Sequence, residues 1–460
     1  MRRAPVVCSE SASVDDVART MHQQGVGSVV VVDAHARPLG IFTRLDLVRV
    51  YAEDLRGSPI AAAMTRDPIA LPGHAPAYEA ALAMIEHHVR HVLVTQDGRL
   101  VGVVSERDLF SLQRLGLAEL TMEIRLADNI DLLARLGAQI RRLTALLVEQ
   151  GVAAERLTLF VSVLNDRLSQ RVIEVVRKRH RWEHIGWCWL AFGSEGRLEQ
   201  TFSSDQDNGL VFESHEGAST ATSRSALLGF AREVNEALDA CGFPLCTGNV
   251  MASNPELCLS VDEWKAKMDG WLETPDPKAL LDSAIFFDFR PLSGDASLAH
   301  ALREWLLPRP RARPAFLRHM ATNALEARPA LGVLADFATE DAPNAPGTIN
   351  LKLHGVRPFV DVARVYSLAF GLAPTATVER LRAAADDLRM DPLEMAAIVD
   401  AFLFIQALRL RIQARPETFS RESANQIDPR SLNEFERRGL KDALRQGRKL
   451  QQRLALDYRL

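Results

Sequence analysis

The sequence predicts an α+β protein of several domains, and three observations carry that prediction. A short unit of helix, strand, turn, strand and helix is written twice near the N-terminus. In the middle of the chain a Gly-Ser turn between two apolar runs is followed by two aspartates one residue apart, the pattern of an α/β domain. From about residue 297 onward, apolar residues recur at helical spacing almost without interruption. A chain of 460 residues is too long for a single core. The resulting partition is a repeat pair at 1–114, a helical linker at 115–181, an α/β domain at 182–296 and a helical bundle at 297–460.

The repeat is direct. GIFTRLDL at 40–47 recurs as GVVSERDL at 102–109, each residue 62 positions from its counterpart. A β-branched run precedes each copy, SVVVVD from Ser28 and HVLVTQDG from His91. Ahead of the first run, Ser13 and Asp16 form a capping-box signature, and Gly25 suits the residue that ends the helix. One unit buries little alone, so two packed sheet to sheet are expected to share a core. The first copy is expected to lack an initial strand.

Between 115 and 181 the 3.6-residue period and the absence of proline predict two or three long helices. A strand at 186–192, a turn, a strand centred on 205–212 and a helix from about Ser223 to Cys241 follow. IFFDFRPLSGD at 285–295 reads as a turn leading into the last region. There, Pro358 suits a first helical turn and Gly371 its end, and Ser431 with Glu434 forms a second capping box. Proline-rich breaks at 308–314 and 341–346 read as loops between helices, and the apolar run 401–410, carrying Arg409, as a buried helix.

Composition narrows the classes. With 47% hydrophobic and 25% charged residues the chain is an ordinary globular protein. A formal charge of −4 argues against a general nucleic-acid binder. Five cysteines with no CxxC pair argue against a disulfide framework or a cysteine-rich zinc site and favour a reducing compartment. No secretory signal or membrane-length apolar run occurs, so a cytoplasmic location without membrane contact is expected. His87 and His91 stand four apart, but His91 begins a strand, so these and His88 are expected to be solvated or packed. Cys241 and Cys246 are expected to be structural.

The stretch that carries chemistry is GSEGRLEQTFSSDQDNGLVF at 193–212. Transfer of a nucleotidyl group sends a hydroxyl to the α-phosphorus of a nucleoside triphosphate and expels pyrophosphate, so charge must be offset on both oxygens. Carboxylate-held Mg2+ does this, and Mg2+ prefers few protein carboxylates plus phosphate and water. Two aspartates at i and i+2 of a strand share one face, so Asp205 and Asp207 qualify if Gln206 points the other way. Gly193 and Ser194 offer backbone N–H groups to phosphate oxygens, and Arg197 a charge-assisted contact. Alternatively, SSDQDNG is simply a polar turn.

This stretch resembles the DNA polymerase β-like nucleotidyltransferase superfamily, and more narrowly the nucleotidyltransferases related to the N-terminal domain of protein-PII uridylyltransferase. The resemblance runs from about residue 115 to the C-terminus through CTGNVMASNP at 246–255, IFFDFRPLSGD and LKLHGVRPFVDVARVY at 351–366. It implies a third carboxylate, for which Asp288 is the candidate, with pairing to Arg290 as the alternative. It also implies that the C-terminal region as a whole is a substrate-binding or lid domain. That region carries Lys352, Arg357 and Arg364; the seven-residue spacing of Arg357 and Arg364 sets them on one helix face, where they line the cleft or where Arg357 pairs with Asp361, the reading preferred. Gln206 and Asn208 depart from the superfamily, which places apolar residues there.

The tandem unit resembles a pair of CBS domains, which implies adenine-nucleotide binding through Thr43 with Asp46 and Ser105 with Asp108. Alternatively both acids merely start helices. The combined expectation is a nucleotidyltransferase that moves a uridylyl or adenylyl group onto a hydroxyl of a protein or small molecule. Adenine nucleotide at the CBS pair regulates it, Mg2+ is the cofactor and a homodimer the assembly. No His-Asp dipeptide occurs, so a removing activity of the uridylyltransferase type is not expected. The rival expectation is a non-catalytic nucleotide sensor signalling to a partner protein.

Overall fold

The computed structural model describes residues 5–87, 89–105, 117–182, 184–202, 204–214, 219–273, 284–332, 337–342, 345–414 and 424–460. It forms two compact units, Met1–Glu123 and Ile124–Leu460.

The first unit holds β1 (Val7–Cys8), α1 (Val14–Gln24), β2 (Ser28–Val32), β3 (Pro38–Thr43), α2 (Arg44–Ala52) and β4 (Thr65–Arg66). The second copy contributes β5 (Ala70–Pro72), α3 (Ala77–Glu86), β6 (His91–Gln96) and β7 (Arg99–Ser105). Sheet orders are β1-β2-β3-β4 and β5-β6-β7. Ser13 caps α1 by accepting from the Asp16 N–H at 3.2 Å, and Gly25 ends it at φ 64°. The initial strand of the first copy is present, contrary to expectation. Val7 and Cys8 pair parallel with Val30 and Val31, as β5 pairs with β6. Val6 packs into the first-copy core, and its carbonyl accepts from Val30 at 3.0 Å, which holds the strand in place. Val30 and Ile41 of one copy and Leu93 of the other form one apolar cluster, so the copies share a core.

The 115–181 region forms three helices, α4 (Leu117–Leu126), α5 (Ile130–Glu149) and α6 (Ala154–Arg177). The last two are a wall of the α/β domain rather than a spacer. Arg141 donates to the Cys241 carbonyl at 3.1 Å and Gln170 to the Leu292 carbonyl at 2.8 Å.

The α/β domain contains β8 (Ile185–Ala191), β9 (Asn208–Ser214), α7 (Thr220–Ala240), β10 (Cys258–Ser260), α8 (Val261–Glu273) and β11 (Arg290–Gly294). The sheet order is β10-β9-β8-β11, with only β9 and β10 parallel. Alternation along β8 sends Trp187 and Trp189 against Phe230 of α7. Cys188 and Leu190, with Phe192 just beyond, enter a core continuous with the C-terminal helices. Two expectations are corrected here. IFFDFRPLSGD is a 3-10 stretch (Ala284–Asp288) followed by β11, which adds a fourth strand beside β8. Asp205 and Asp207 precede β9 rather than lie within it, although the Asp207 carbonyl accepts from the Phe192 N–H at 2.8 Å and continues the ladder.

The C-terminal region comprises α9 (Ala296–Leu306), α10 (Pro314–Ala324), α11 (Arg357–Phe370), α12 (Thr377–Ala384), α13 (Pro392–Gln413) and α14 (Glu434–Tyr458). It also carries β12 (Glu340–Ala342), β13 (Ala345–Asn350) and β14 (Gln426–Ile427). The proline-rich break at 341–346 is thus not wholly a loop: β12 and β13, on either side of 343–344, pair antiparallel, and β13 also pairs with β14. Pro358 lies in the first turn of α11 and Gly371 ends it at φ 69°. The capping box of α14 is Asn433 with Glu436, two residues later than expected, since a 3-10 turn (Pro429–Ser431) takes up Ser431.

Candidate active site

The site is built where β8 ends. After Phe192 the chain makes one helical turn, Gly193–Gly196, starting at φ 55° on Gly193. A Cβ on Gly193 would lie 2.9 Å from Asp207 Oδ2 and 2.8 Å from Ile285 Cδ1, so only glycine lets the turn close on this carboxylate. Gly196 is equally constrained, since its Cβ would lie 1.8 Å from the Asp288 carbonyl oxygen. The Gly-Ser bend and the second aspartate, 14 positions apart in sequence, are therefore in contact.

Gln206 points away from them, as the shared-face argument requires. It is buried, accepts from Asn235 Nδ2 at 2.7 Å, and donates to the Asn235 and Phe243 carbonyls at 2.9 and 2.7 Å. Asn208 Oδ1 accepts from Asn235 Nδ2 at 3.0 Å and from the Ala252 N–H at 2.8 Å. The two departures from the superfamily are thus explained by a satisfied amide network that ties the aspartate strand to α7 and to the loop before β10. Asn235 had no sequence signal of its own.

Asp205 and Asp207 are both half-buried. Burial pushes Asp207 up to about 6; the Cys246 thiol and the Lys352 ammonium oppose the rise, and the Asp205 charge adds to it. Cys246, expected to be structural, therefore faces the candidate metal site. Among the described residues no group of three or more His, Cys, Asp or Glu could hold a metal. The donor set is two hard carboxylates beside a glycine-lined bend, which fits an ion completing its shell with phosphate and water.

Asp288 is corrected. It is fully buried and surrounded by guanidinium groups: Arg197 at 2.6 Å, Arg364 at 2.6 and 3.0 Å, and Arg380 at 2.6 Å. These three charges, Arg364 foremost, outweigh burial and hold the carboxyl well below the usual range. With both oxygens taken it has no room for a metal or a substrate proton. Arg290, the expected partner, bridges Asp166 instead at 2.7 Å. Arg197 is likewise committed, to Glu199 at 2.8 Å and to Asp288, rather than held free for phosphate. Arg357 pairs with Asp361 at 2.9 Å, as the i, i+4 reading allowed, and Arg364 also reaches Asp361 at 2.7 Å.

These contacts dock the C-terminal helices onto the 193–199 turn. Thr375 Oγ1 donates to the Gly196 carbonyl at 2.8 Å and the Thr377 N–H to Glu199 Oε1 at 2.7 Å. Arg290 holds the Glu195 carbonyl from the other side at 2.9 and 3.1 Å. Glu195 itself is buried, and burial, with the neighbouring Asp166 charge, pushes its carboxyl up to about 8. Glu195, Glu199, Thr377 and Arg380 were not marked by the sequence, because their partners lie up to 178 residues away.

In the N-terminal unit, Asp46 is 8% exposed and already engaged. It accepts from the Thr43 N–H at 2.9 Å and Thr43 Oγ1 at 2.8 Å, and meets Arg49 at 3.2 Å. This is the helix-start role at α2. Ser105 ends β7. Asp108, like His88, lies outside the described residues. Among the described residues no helix is long and apolar enough to cross a membrane.

Comparison with known proteins agrees with this division. Residues 138–278 match the family described as "Putative nucleotidyltransferase DUF294", and residues 314–458 match the "Putative nucleotidyltransferase substrate binding domain". The CBS domain matches at 1–53 and 60–114. An uncharacterized 17.7 kDa protein of Acidianus ambivalens is 30% identical over 104 residues, 22% of this chain and 63% of that protein. The A-adding tRNA nucleotidyltransferase of Aquifex aeolicus is 28% identical over 123 residues, 26% of this chain and 14% of that one. The chain thus spans less than two-thirds of either relative. A CBS domain protein of Pyrobaculum aerophilum, solved in complex with AMP, is 32% identical with a TM-score of 0.24, covering 26% of this chain and 95% of its own. The first match begins inside α5 and takes in α6, so it covers part of the region expected as a linker. In order along the sequence, then, the chain matches a CBS domain pair, the putative nucleotidyltransferase domain DUF294 and the putative nucleotidyltransferase substrate binding domain.

Proposed function

We propose that the protein transfers a nucleoside monophosphate, uridylyl or adenylyl, from a nucleoside triphosphate to a hydroxyl acceptor. One observation carries the reading: the Asp207 carboxylate lies against Gly193 at the end of β8, with Gln206 turned into the opposite face. Asp205 and Asp207 would hold Mg2+, which offsets negative charge on the attacking and leaving oxygens. Gly193 lets the bend close on Asp207 and Ser194 is half-buried beside it, and in this reading their backbone N–H groups would face the phosphates. The acceptor oxygen bonds to the α-phosphorus as the α–β bridging bond breaks and pyrophosphate departs. Asp288, with Arg197, keeps the turn in shape and takes no proton.

The CBS pair is the regulatory element of this reading, with an adenine nucleotide as its ligand and a cytoplasmic homodimer as its setting. Asp46 must exchange its bonds to Thr43 for ribose hydroxyls, so binding and the α2 cap compete. Regulation requires that the ligand distinguish two enzyme conformations. The test is Mg2+-dependent pyrophosphate release across a nucleotide panel, wild type against Asp205→Asn/Asp207→Asn. Release by wild type alone supports transfer. Nucleotide binding without release by either protein, for protein and small-molecule acceptors alike, assigns the domain to sensing.

A further inference from the structure

We infer that a small cavity between α5, α6 and the segment 201–204 is a halide site, with chloride as its occupant. The site stands apart from the nucleotidyl-transfer reading and does not depend on it. The cavity measures about 20 Å³ and lies where Arg141 and Thr144 of α5, Asn165 of α6, Thr201, Ser204 and Gly242 converge. One water needs about 10–15 Å³ of such space, so a single small species fits and the four oxygens of phosphate do not. An occupant here would tie α5 and α6 to the segment that leads into Asp205.

The lining is rich in donors, and no carboxylate takes part in it. Asn165 and Thr201 are 9% and 5% exposed, and among the described residues neither side chain makes a hydrogen bond. Burying an amide or a hydroxyl without a partner is costly, so both groups call for an occupant. Ser204 Oγ accepts from the Thr201 N–H at 2.8 Å, which leaves its own O–H to donate. Thr144 is the exception, since its hydroxyl donates to the Ile140 carbonyl at 2.8 Å. Arg141 supplies the charge. Its half-buried guanidinium donates to the Cys241 carbonyl at 3.1 Å and meets no carboxylate among the described residues. A Cβ on Gly242, which has φ 95°, would lie 1.9 Å from Arg141 Nη1, so only glycine lets the guanidinium sit against this bend. Arg141, Asn165, Thr201 and Ser204 thus bring donors to one small space. A water has too few lone pairs for them all, whereas a halide accepts from each and balances the guanidinium.

The test is thermal unfolding of the full chain, without nucleotide, in sodium gluconate, chloride and bromide at constant ionic strength. All six tryptophans lie in the Ile124–Leu460 unit, so their fluorescence reports on this unit alone. Wild type is compared with Thr201→Val, which keeps the size of the side chain but loses its hydroxyl, and with Arg141→Gln. Chloride and bromide should raise the wild-type midpoint over gluconate by about 2–4 °C, with saturation. Both variants should lose most of that rise, and Thr201→Val should keep a gluconate midpoint close to wild type. Crystals grown in bromide should show an anomalous peak between Arg141 and Thr201. A rise that does not saturate, or that both variants retain, is a general salt effect and overturns the inference. Ordered water in the cavity of bromide-grown crystals, with no anomalous signal, overturns it too.

Discussion

Asp207 and Asp288 both press on the Gly193–Gly196 turn and live in different electrostatic surroundings. Asp288 is fully buried among three guanidinium groups, which hold it ionised far below its ordinary range. Asp207 is half-buried, is pushed up to about 6 by burial, and has a thiol and an ammonium to oppose that rise. Both come from sequence segments that resemble nucleotidyltransferase motifs, so residue type alone does not separate them. The difference is in saturation. A carboxylate whose lone pairs are all taken fixes structure, whereas one left short of positive charge is available to a cation that arrives with the substrate.

The largest expected effect breaks the comparison on the Asp207 side. Asp205→Asn/Asp207→Asn should lower Mg2+-dependent pyrophosphate release by about 10³-fold or more, with urea unfolding little changed. Asp288→Asn should do the converse in stability. It strands three buried guanidinium groups, and the cost on urea unfolding should be about 3–5 kcal/mol. If the two variants exchanged these behaviours, the assignment of roles would be reversed.

Gly193→Ala probes the contact between the two regions. A left-handed φ and a Cβ 2.9 Å from Asp207 Oδ2 should cost about 1–2 kcal/mol in stability and weaken Mg2+ binding, measured by Mn2+ titration. Wild-type Mn2+ affinity in that variant would show that the bend and the carboxylate act independently.

The smallest effect concerns Glu195, buried near Asp166 and Asp207 and pushed up to about 8. The folded state keeps this proton to higher pH than the unfolded chain does. Stability is therefore greatest below the ordinary glutamate range, falls as pH rises through it, and levels off above about 8. Glu195→Gln should flatten that fall between pH 5 and 8 in denaturant titrations. A variant with the wild-type slope would show that Glu195 is ionised at neutral pH.

Much of this architecture was legible in the residues. The repeat was visible because each copy needs the same strand–turn–helix chemistry at the same spacing, and the shared cluster of Val30, Ile41 and Leu93 follows from two half-buried sheets. The Gly-Ser turn and the aspartate pair were legible because their chemistry is local. The box at Asn433 was missed in favour of Ser431, because both residues stand three positions before a glutamate and only the preceding turn decides between them.

By itself, then, the sequence determined the order of domains, the glycine bend and the aspartate pair that follows it, since each depends on neighbours within a few residues. The tertiary structure alone decided which charges are spent. Asp288 meets arginines 91, 76 and 92 positions away, and Arg197 is consumed by the first of those pairings. Ion pairing depends on distance in space, and the chain reveals that only once the C-terminal helices close over the turn.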